Sequence, residues 1–552
     1  MKNRQYQIAA AVLMCGMLVT ACGDLARQNA DAAAVAGDGG TGSTEDWQTG
    51  EDAAYTGTTI DSSDLFSDRD LSGAYEISKC DSITLSDTGC TTDSRNVEID
   101  GSTVTVTGEG DYIVSGALSD GMIIVDVDKS EKVQLVLNGV DITSETSAAI
   151  YVRKADKVFV TLADGTENTL KNGGTFEEID DNHIDAVLFS KDDLTLNGTG
   201  TLIIDSPADR GIVSKNELTI TNGTYRITAA SHGMTGKDGV AVADGSFEIT
   251  AGKDAIQSKN EDDDTLGSVY IADGEFVLNV ESDGISAVNE IYIAGGTITV
   301  EESYEGLEAR IINISGGEVD ITSRDDGLNA TDKRVDLSAE VSSQVETAAD
   351  DASKRAVTGN DRSAWDDDDK NNKNDRKRGF PGGMGDTQAD ASIHISGGVI
   401  RIDAEGDGVD SNGYITVSGG ELYVTGPSSG KDGALDYGID ATVSGGIVVA
   451  AGQSGMAQNF SADSTQGTIL VNTQQQNAAG SEIALLDTEG EELIVWTMEK
   501  ACNSVVISCP EIRSGGSYIV KIGGTSTEIT MDGLVYGEGF SFGAGRGGRP
   551  EG

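Results

Sequence analysis

The chain has 552 residues, with 93 acids against 38 lysines and arginines, a formal net charge of −55. Such a field repels nucleic acid and other polyanions unless cations intervene, so nucleic acid is excluded as a partner of the bare chain. Three histidines, His183, His232 and His394, and six cysteines without a CxxC spacing argue against zinc.

Lys2 and Arg4 precede an apolar run from Ile8 to Val19 that ends in Val19-Thr20-Ala21-Cys22. The run is shorter than the roughly 20 residues a membrane span needs. It resembles a bacterial lipobox, with residues 1–21 removed and Cys22 lipidated. The expected place is then the extracellular face of a bacterial envelope, with membrane contact only through the lipid. Loss of Lys2 and Arg4 takes the net charge from −55 to −57. Residues 22–60, rich in Ala, Gly, Thr, Ser and acids, read as a flexible tether.

Cys15 leaves with the signal, so Cys80 with Cys90 and Cys502 with Cys509 remain as two close pairs. An exported protein can oxidise both, and two disulfides are expected.

Residues 61–452 read as a parallel β-helix. Gly-Gly phrases recur as GGTITV from Gly295, GGEVDI from Gly316, GGVIRI from Gly397, GGELYV from Gly419 and GGIVVA from Gly445. Degenerate forms start at Asn222, Asp244 and Asp273, and the steps from Gly223 are 22, 29, 22, 21, 81, 22 and 26 residues. A period of that size is one solenoid coil. Within each phrase alternate positions are apolar, as in Ile298 and Val300 or Ile400 and Ile402, which turns one set inward. Regular glycine turns alone also suit an antiparallel sandwich.

The step of 81 residues contains an insertion of about 58 residues at about 332–389, charged and poor in apolar residues, expected to be a loose loop. Its Asp366–Asp369 run is no EF-hand, because glycine is missing at the sixth position. Residues 453–536 carry short alternating strands expected to form a small β module or cap, and 537–552 a disordered tail.

Aligning coils on Ile285, Leu307, Leu328, Val409 and Leu435 sets Asp283, Glu305, Asp326 and Asp407 two residues before, and Ser286, Glu308, Asn329, Asp410 and Asp436 one residue after. Asp254 with Gln257 extends the pattern backward, and Asp325 adjoins it. Successive coils lie roughly 4.8 Å apart, so stacked carboxylates repel unless a cation sits between them. Oxygen ligands without thiolate or imidazole select a hard ion, and Ca²⁺ suits that spacing. The candidate metal ligands are Asp254, Asp283, Glu305, Glu308, Asp325, Asp326, Asn329, Asp407, Asp410 and Asp436. Aspartate and asparagine also cap glycine turns through their own backbone, which accounts for single acids more readily than for two rows in phase.

The lipobox, the repeated DGI, DGL and GDGV steps, the Gly-Gly phrases and the charged insertion together resemble a family of bacterial extracellular carbohydrate-binding proteins. These are calcium-binding, right-handed parallel β-helices similar to pectate lyases, and the likeness covers about residues 95–530. The resemblance implies binding of acidic plant polysaccharide, polygalacturonate in particular, without cleavage. It puts calcium ligation on the aspartate-rich turns, Asp283, Asp326, Asp407 and their neighbours. The chain departs from the family step at Glu305, where aspartate is usual, and at Ala434, where glycine is lost.

Two other classes compete. A calcium-dependent polyuronate lyase needs a Lys or Arg base beside the ion, for which Lys237, Lys253, Arg310, Arg324 and Lys431 are candidates. A structural surface rod would need calcium to fold and would bind no glycan. The low aromatic content, 5%, favours a charged ligand over stacked neutral sugars.

Overall fold

A computed structural model describes residues 65–334, 387–537 and 539. The signal and lipidation residues 1–22, the tether, most of the insertion and the tail fall outside the described residues. Among the described residues no helix is long and apolar enough to cross a membrane.

The chain winds into a parallel β-helix built from three ladders. One stacks Ile256–Ser258, the start of Ile285–Ile293, the start of Leu307–Ile314, Leu328–Ala330, Val409–Ser411 and Leu435–Tyr437 in parallel register. A second runs through Ser268–Ile271, Ser392–Ile395, Tyr414–Val417 and Asp440–Val443. The third holds the Gly-Gly phrases, from Thr224–Ala229 to Ile447–Gly452. Period-2 alternation sends one residue of each pair inward, and Ile256, Ile285, Leu307, Leu328, Val409 and Leu435 form a fully buried column. Each such side chain contributes about 1.5–3 kcal/mol by leaving water. Tyr225, Phe247 and Phe276 add an internal stack, with ring centroids 5.0 and 4.5 Å apart.

The second glycine of each phrase makes the corner. Gly296 has φ +86°, and a Cβ there would lie 2.7 Å from the Gly274 carbonyl oxygen of the coil below. Glycine alone combines that backbone with that approach.

The coils on either side of the insertion are neighbours. Leu328 pairs with Val409 and Ile311 with Ser392, so the insertion leaves and returns at one corner without opening the stack.

The C-terminal strands include a continuation of the solenoid. Cys502–Ser508 pairs antiparallel with Ile447–Gly452 and with Thr468–Asn477, while a four-stranded antiparallel sheet forms from Glu482–Leu486, Glu492–Thr497, Ser517–Ile522 and Thr525–Thr530.

An N-terminal strap runs along the outside of the second ladder. Ser67 caps the short helix Asp68–Ser72, and buried Asp70 within it bonds Ser67, Lys157 at 2.7 Å and Thr195 at 2.5 Å. Burial works to raise the Asp70 carboxyl, but Lys157 and these hydroxyls hold it below the ordinary value. Phe66 packs on Tyr270 and Tyr292, several coils further along.

Both expected disulfides are corrected, since Cys80, Cys90, Cys502 and Cys509 are free. Cys502 begins one extended strand and Cys509 follows its end, about 23 Å away at the usual rise per residue. A disulfide needs Cα atoms within about 7 Å. In the hairpin of Asp81–Leu85 with Thr91–Thr92 the register pairs Ile83 with Thr92, which sets Cys90 beside Leu85 and leaves Cys80 at the far end.

Candidate functional site

Four steps of the first ladder, those at Ile285, Leu307, Leu328 and Val409, share one local form: an acid, a glycine, an inward apolar residue, then an outward residue; at Ile256 and Leu435 the glycine is replaced by Ala255 and Ala434, and at Leu435 the acid by Gly433. The glycine is required by the coil spacing. A Cβ on Gly284, Gly306 or Gly327 would lie 2.6, 2.3 or 2.5 Å from the carbonyl oxygen of the next coil's glycine. The acid before it and the outward residue after it therefore repeat in register.

The outward row reads Gln257, Ser286, Glu308, Asn329, Asp410 and Asp436, each paired with the next. The row two residues before the column reads Asp254, Asp283, Glu305, Asp326 and Asp407. Its members touch through the backbone: Asp283 N–H donates to Asp254 Oδ1 at 3.1 Å, Glu305 N–H to Asp283 Oδ1 at 3.3 Å, and Asp407 N–H to Asp326 Oδ1 at 2.7 Å. Gly433 N–H donates likewise to Asp407. At Asp283, Asp326 and Asp407 turn capping and an acid row thus coexist, because the capping bond takes one oxygen of the carboxylate and leaves the other.

Asp283, Glu305 and Glu308 converge so that one carboxylate oxygen of each lies within 4.8 Å of the others. All three are buried, at 6%, 9% and 4% exposure. Glu305 Oε2 is buried with no partner, and so is Asn329 Oδ1 beside Glu308 in the outward row. A buried acceptor without a partner costs about 1–3 kcal/mol, more when it is charged. Carboxylate and amide oxygens of this kind are the donor set a hard divalent cation takes.

Electrostatics mark the same residues. Burial, then Asp254, Glu308 and Glu305, pushes the Asp283 carboxyl well above its ordinary value. Burial and then Glu308 do the same to Glu305, and burial followed by Asp410 and Asp407 to Asp326. Burial and then Asp410 push Asp407 up to about 8, while burial and then Asp436 push Asp410 up to about 7. Burial also raises Asp436 and Asp325.

The expected ligands are not equivalent. Asp254 spends its oxygens inside the protein: Oδ1 on Asp283 N–H, Oδ2 on Gln257 at 2.9 Å and within 3.2 Å of His232 Nδ1. Burial works to raise Asp254, but His232, the Asp283 N–H and Lys333 together hold the carboxyl below the usual range. Asp325 bonds the Tyr304 hydroxyl. Asp326, Asp407, Asp410 and Asp436 follow in register, but among the described residues only Asp283, Glu305 and Glu308 form so tight a triad. Asp436 also accepts from Gln458 at 2.6 Å.

Three residues of the site escaped the sequence reading. His232 and Arg210 stand in the same row as Asp254, two residues before Met234 and Ile212, where the alignment of coils reaches them if carried further back. The row therefore changes from basic to acidic along the solenoid. Lys333, five residues after Leu328, donates its ammonium to Glu308 Oε2. Tyr423 packs against Trp496 with centroids 6.1 Å apart.

The sequence model of a family described as carbohydrate-binding domain-containing protein matches residues 100–339 and 302–433. A carbohydrate-binding domain-containing protein of Acetivibrio thermocellus is 41% identical over 128 residues, which is 23% of this chain and 45% of that protein. The chain thus spans less than half the length of that relative. The structure of a polysaccharide lyase-like protein from C. thermocellum, a gadolinium derivative, is 32% identical with a TM-score of 0.42, covering 43% of this chain and 97% of the other.

Proposed function

The chain belongs to the family of carbohydrate-binding domain-containing proteins, and from that premise we propose that it binds an acidic polysaccharide of the polygalacturonate or pectin type through calcium, without cleaving it. The observation that carries this reading is the buried, unpartnered Glu305 Oε2 within the Asp283–Glu305–Glu308 triad. Asp283, Glu305, Glu308 and Asn329 would hold the ion. Bound there, calcium supplies a positive bridge between protein carboxylates and a uronate carboxylate, which a chain of net charge −55 would otherwise repel. The rows beyond it, through Asp326, Asp407, Asp410 and Asp436, repeat the same groups at coil spacing, which suits a polymer with one carboxylate per sugar.

Binding without turnover is favoured by the state of the nearby cations. Arg324 lies 3.5 Å from Glu281, Lys237 lies 2.5 Å from Asp262, and Arg310 donates to Asn289. A base for β-elimination must face the substrate and be able to stand unprotonated, which a cation held against a carboxylate resists. Lipidation at Cys22 would hold the protein at the cell surface, where such polymers are met.

The test is pull-down of the chain by polygalacturonate and by cellulose, in calcium and in EDTA, with ultraviolet absorbance followed for unsaturated product. Calcium-dependent retention on polygalacturonate alone, without product, is expected. Product formation would replace the reading with a lyase, and calcium-stabilised folding with no retention would replace it with a structural rod.

A further inference from the structure

We propose that Lys333 is a tethered counter-ion of the cation site, seated against Glu308 when no divalent ion is present and displaced when one binds. This builds on the calcium reading above and adds a residue of this chain that sets the affinity. Glu308 is almost fully buried, and its Oε2 accepts from the Lys333 ammonium. The same ammonium is attracted by Asp283 and Glu305 as well as by Glu308. The Lys333 side chain is 56% exposed, while the Glu308 carboxylate it reaches is almost fully buried.

The residues beside Lys333 are fixed. Asp332 grips Arg334 through two bonds of 2.9 and 3.2 Å, Arg334 also donates to the Asp264 carbonyl at 3.1 Å, and Thr331 N–H donates to the Ala309 carbonyl at 2.9 Å. The Lys333 side chain can therefore leave without unfolding the turn that carries it. It also fills the site poorly, since it hydrogen-bonds Glu308 while Glu305 Oε2 and Asn329 Oδ1 stay without partners. An ammonium and a divalent ion cannot share three carboxylates whose ligand oxygens lie within 4.8 Å, because like charges at that range repel strongly. Entry of the ion must then expel the lysine.

Calcium chloride titrated calorimetrically into the chain and into its Lys333→Gln variant tests this, together with acylation of Lys333 in the unaltered chain, read by peptide mass spectrometry with and without calcium. The variant is expected to bind about tenfold more tightly, as for a site no longer blocked nine-tenths of the time. Labelling of Lys333 is expected to rise several-fold with calcium, a readout that does not depend on the variant folding. Equal affinities with unchanged labelling would overturn the proposal, and so would weaker binding in the variant, which would make Lys333 a support instead of a competitor. No calcium heat in either protein would overturn the calcium reading itself.

Discussion

Replacing Glu305 by glutamine removes one of three carboxylates that face one another within 4.8 Å while keeping the shape of the side chain. At that distance and an effective dielectric of about 20, each pair Glu305 makes, with Asp283 and with Glu308, repels by about 3.5 kcal/mol. Burial and then Glu308 raise the Glu305 carboxyl well above its ordinary 4.5, so the metal-free protein escapes the repulsion by holding a proton there. A group whose pKa is raised by folding stabilises fully below its unfolded value, and that stability is lost as pH rises toward the folded value. In EDTA at pH 7 the Glu305→Gln protein should thus be the more stable, by no more than the repulsion of about 3.5 kcal/mol per pair that it removes, an advantage that shrinks as pH falls toward the ordinary 4.5. Saturating calcium should erase or reverse the order, because a hundredfold excess over Kd stabilises the unaltered protein by about 2.7 kcal/mol and the variant far less. Urea unfolding midpoints in the four conditions decide it. A variant less stable than its parent in EDTA at pH 7, or an advantage that does not change with pH, would refute the reasoning.

Phe247→Ala opens the internal stack between Tyr225 and Phe276 and should cost about 3–5 kcal/mol, read as a lower urea midpoint; a loss under about 1 kcal/mol would count against the ladder as a source of stability. Burial pushes the His394 imidazole down to about 4, so the stability it lends is whole above about 6.5 and lost as pH falls toward 4, by up to about 3 kcal/mol. His394→Asn should flatten that acid limb, and an unchanged limb would dismiss His394 as its source. Cys80, Cys90, Cys502 and Cys509 should each alkylate in urea without prior reductant, and a linked peptide pair by mass spectrometry would contradict the strand register described above.

Solenoid geometry explains which parts of this molecule were legible in its sequence. Once the period is known, alternation fixes which way Ile298 or Ile400 points, and the glycine before Ile285, Leu307, Leu328 and Val409 fixes where the neighbouring acids stack. Translation by one coil is the sole operation needed, so the Asp326–Asp407 contact across the insertion follows as readily as contacts between adjacent steps. What lies off the repeat was not legible. Whether Cys502 can meet Cys509 depends on one strand staying extended instead of turning back. That Lys333 finds Glu308 depends on a corner that no other coil reproduces among the described residues. The strap around Asp70 obeys only its own cap and the hydroxyls it happens to cross. Within the rows, position alone did not separate Asp254 from Glu305; that took the positions of His232 and Gln257, which consume the oxygens of one and not of the other.

The strap has a mechanical consequence. Its hold is spread along the axis: Gln134 Nε2 reaches the Ala74 carbonyl at 3.5 Å, Arg69 lies over the Phe159 ring at 4.4 Å, Thr221 meets the Asp70 carbonyl at 2.7 Å, and Phe66 grips Tyr270 and Tyr292. A pull arriving through the chain ahead of Leu65 enters the rod at its flank, near Tyr292, and is shared among many coils before it reaches the first strand at Asp81. The contacts then resist in shear, loaded together, whereas a rod pulled from its end strand would unzip one rung at a time.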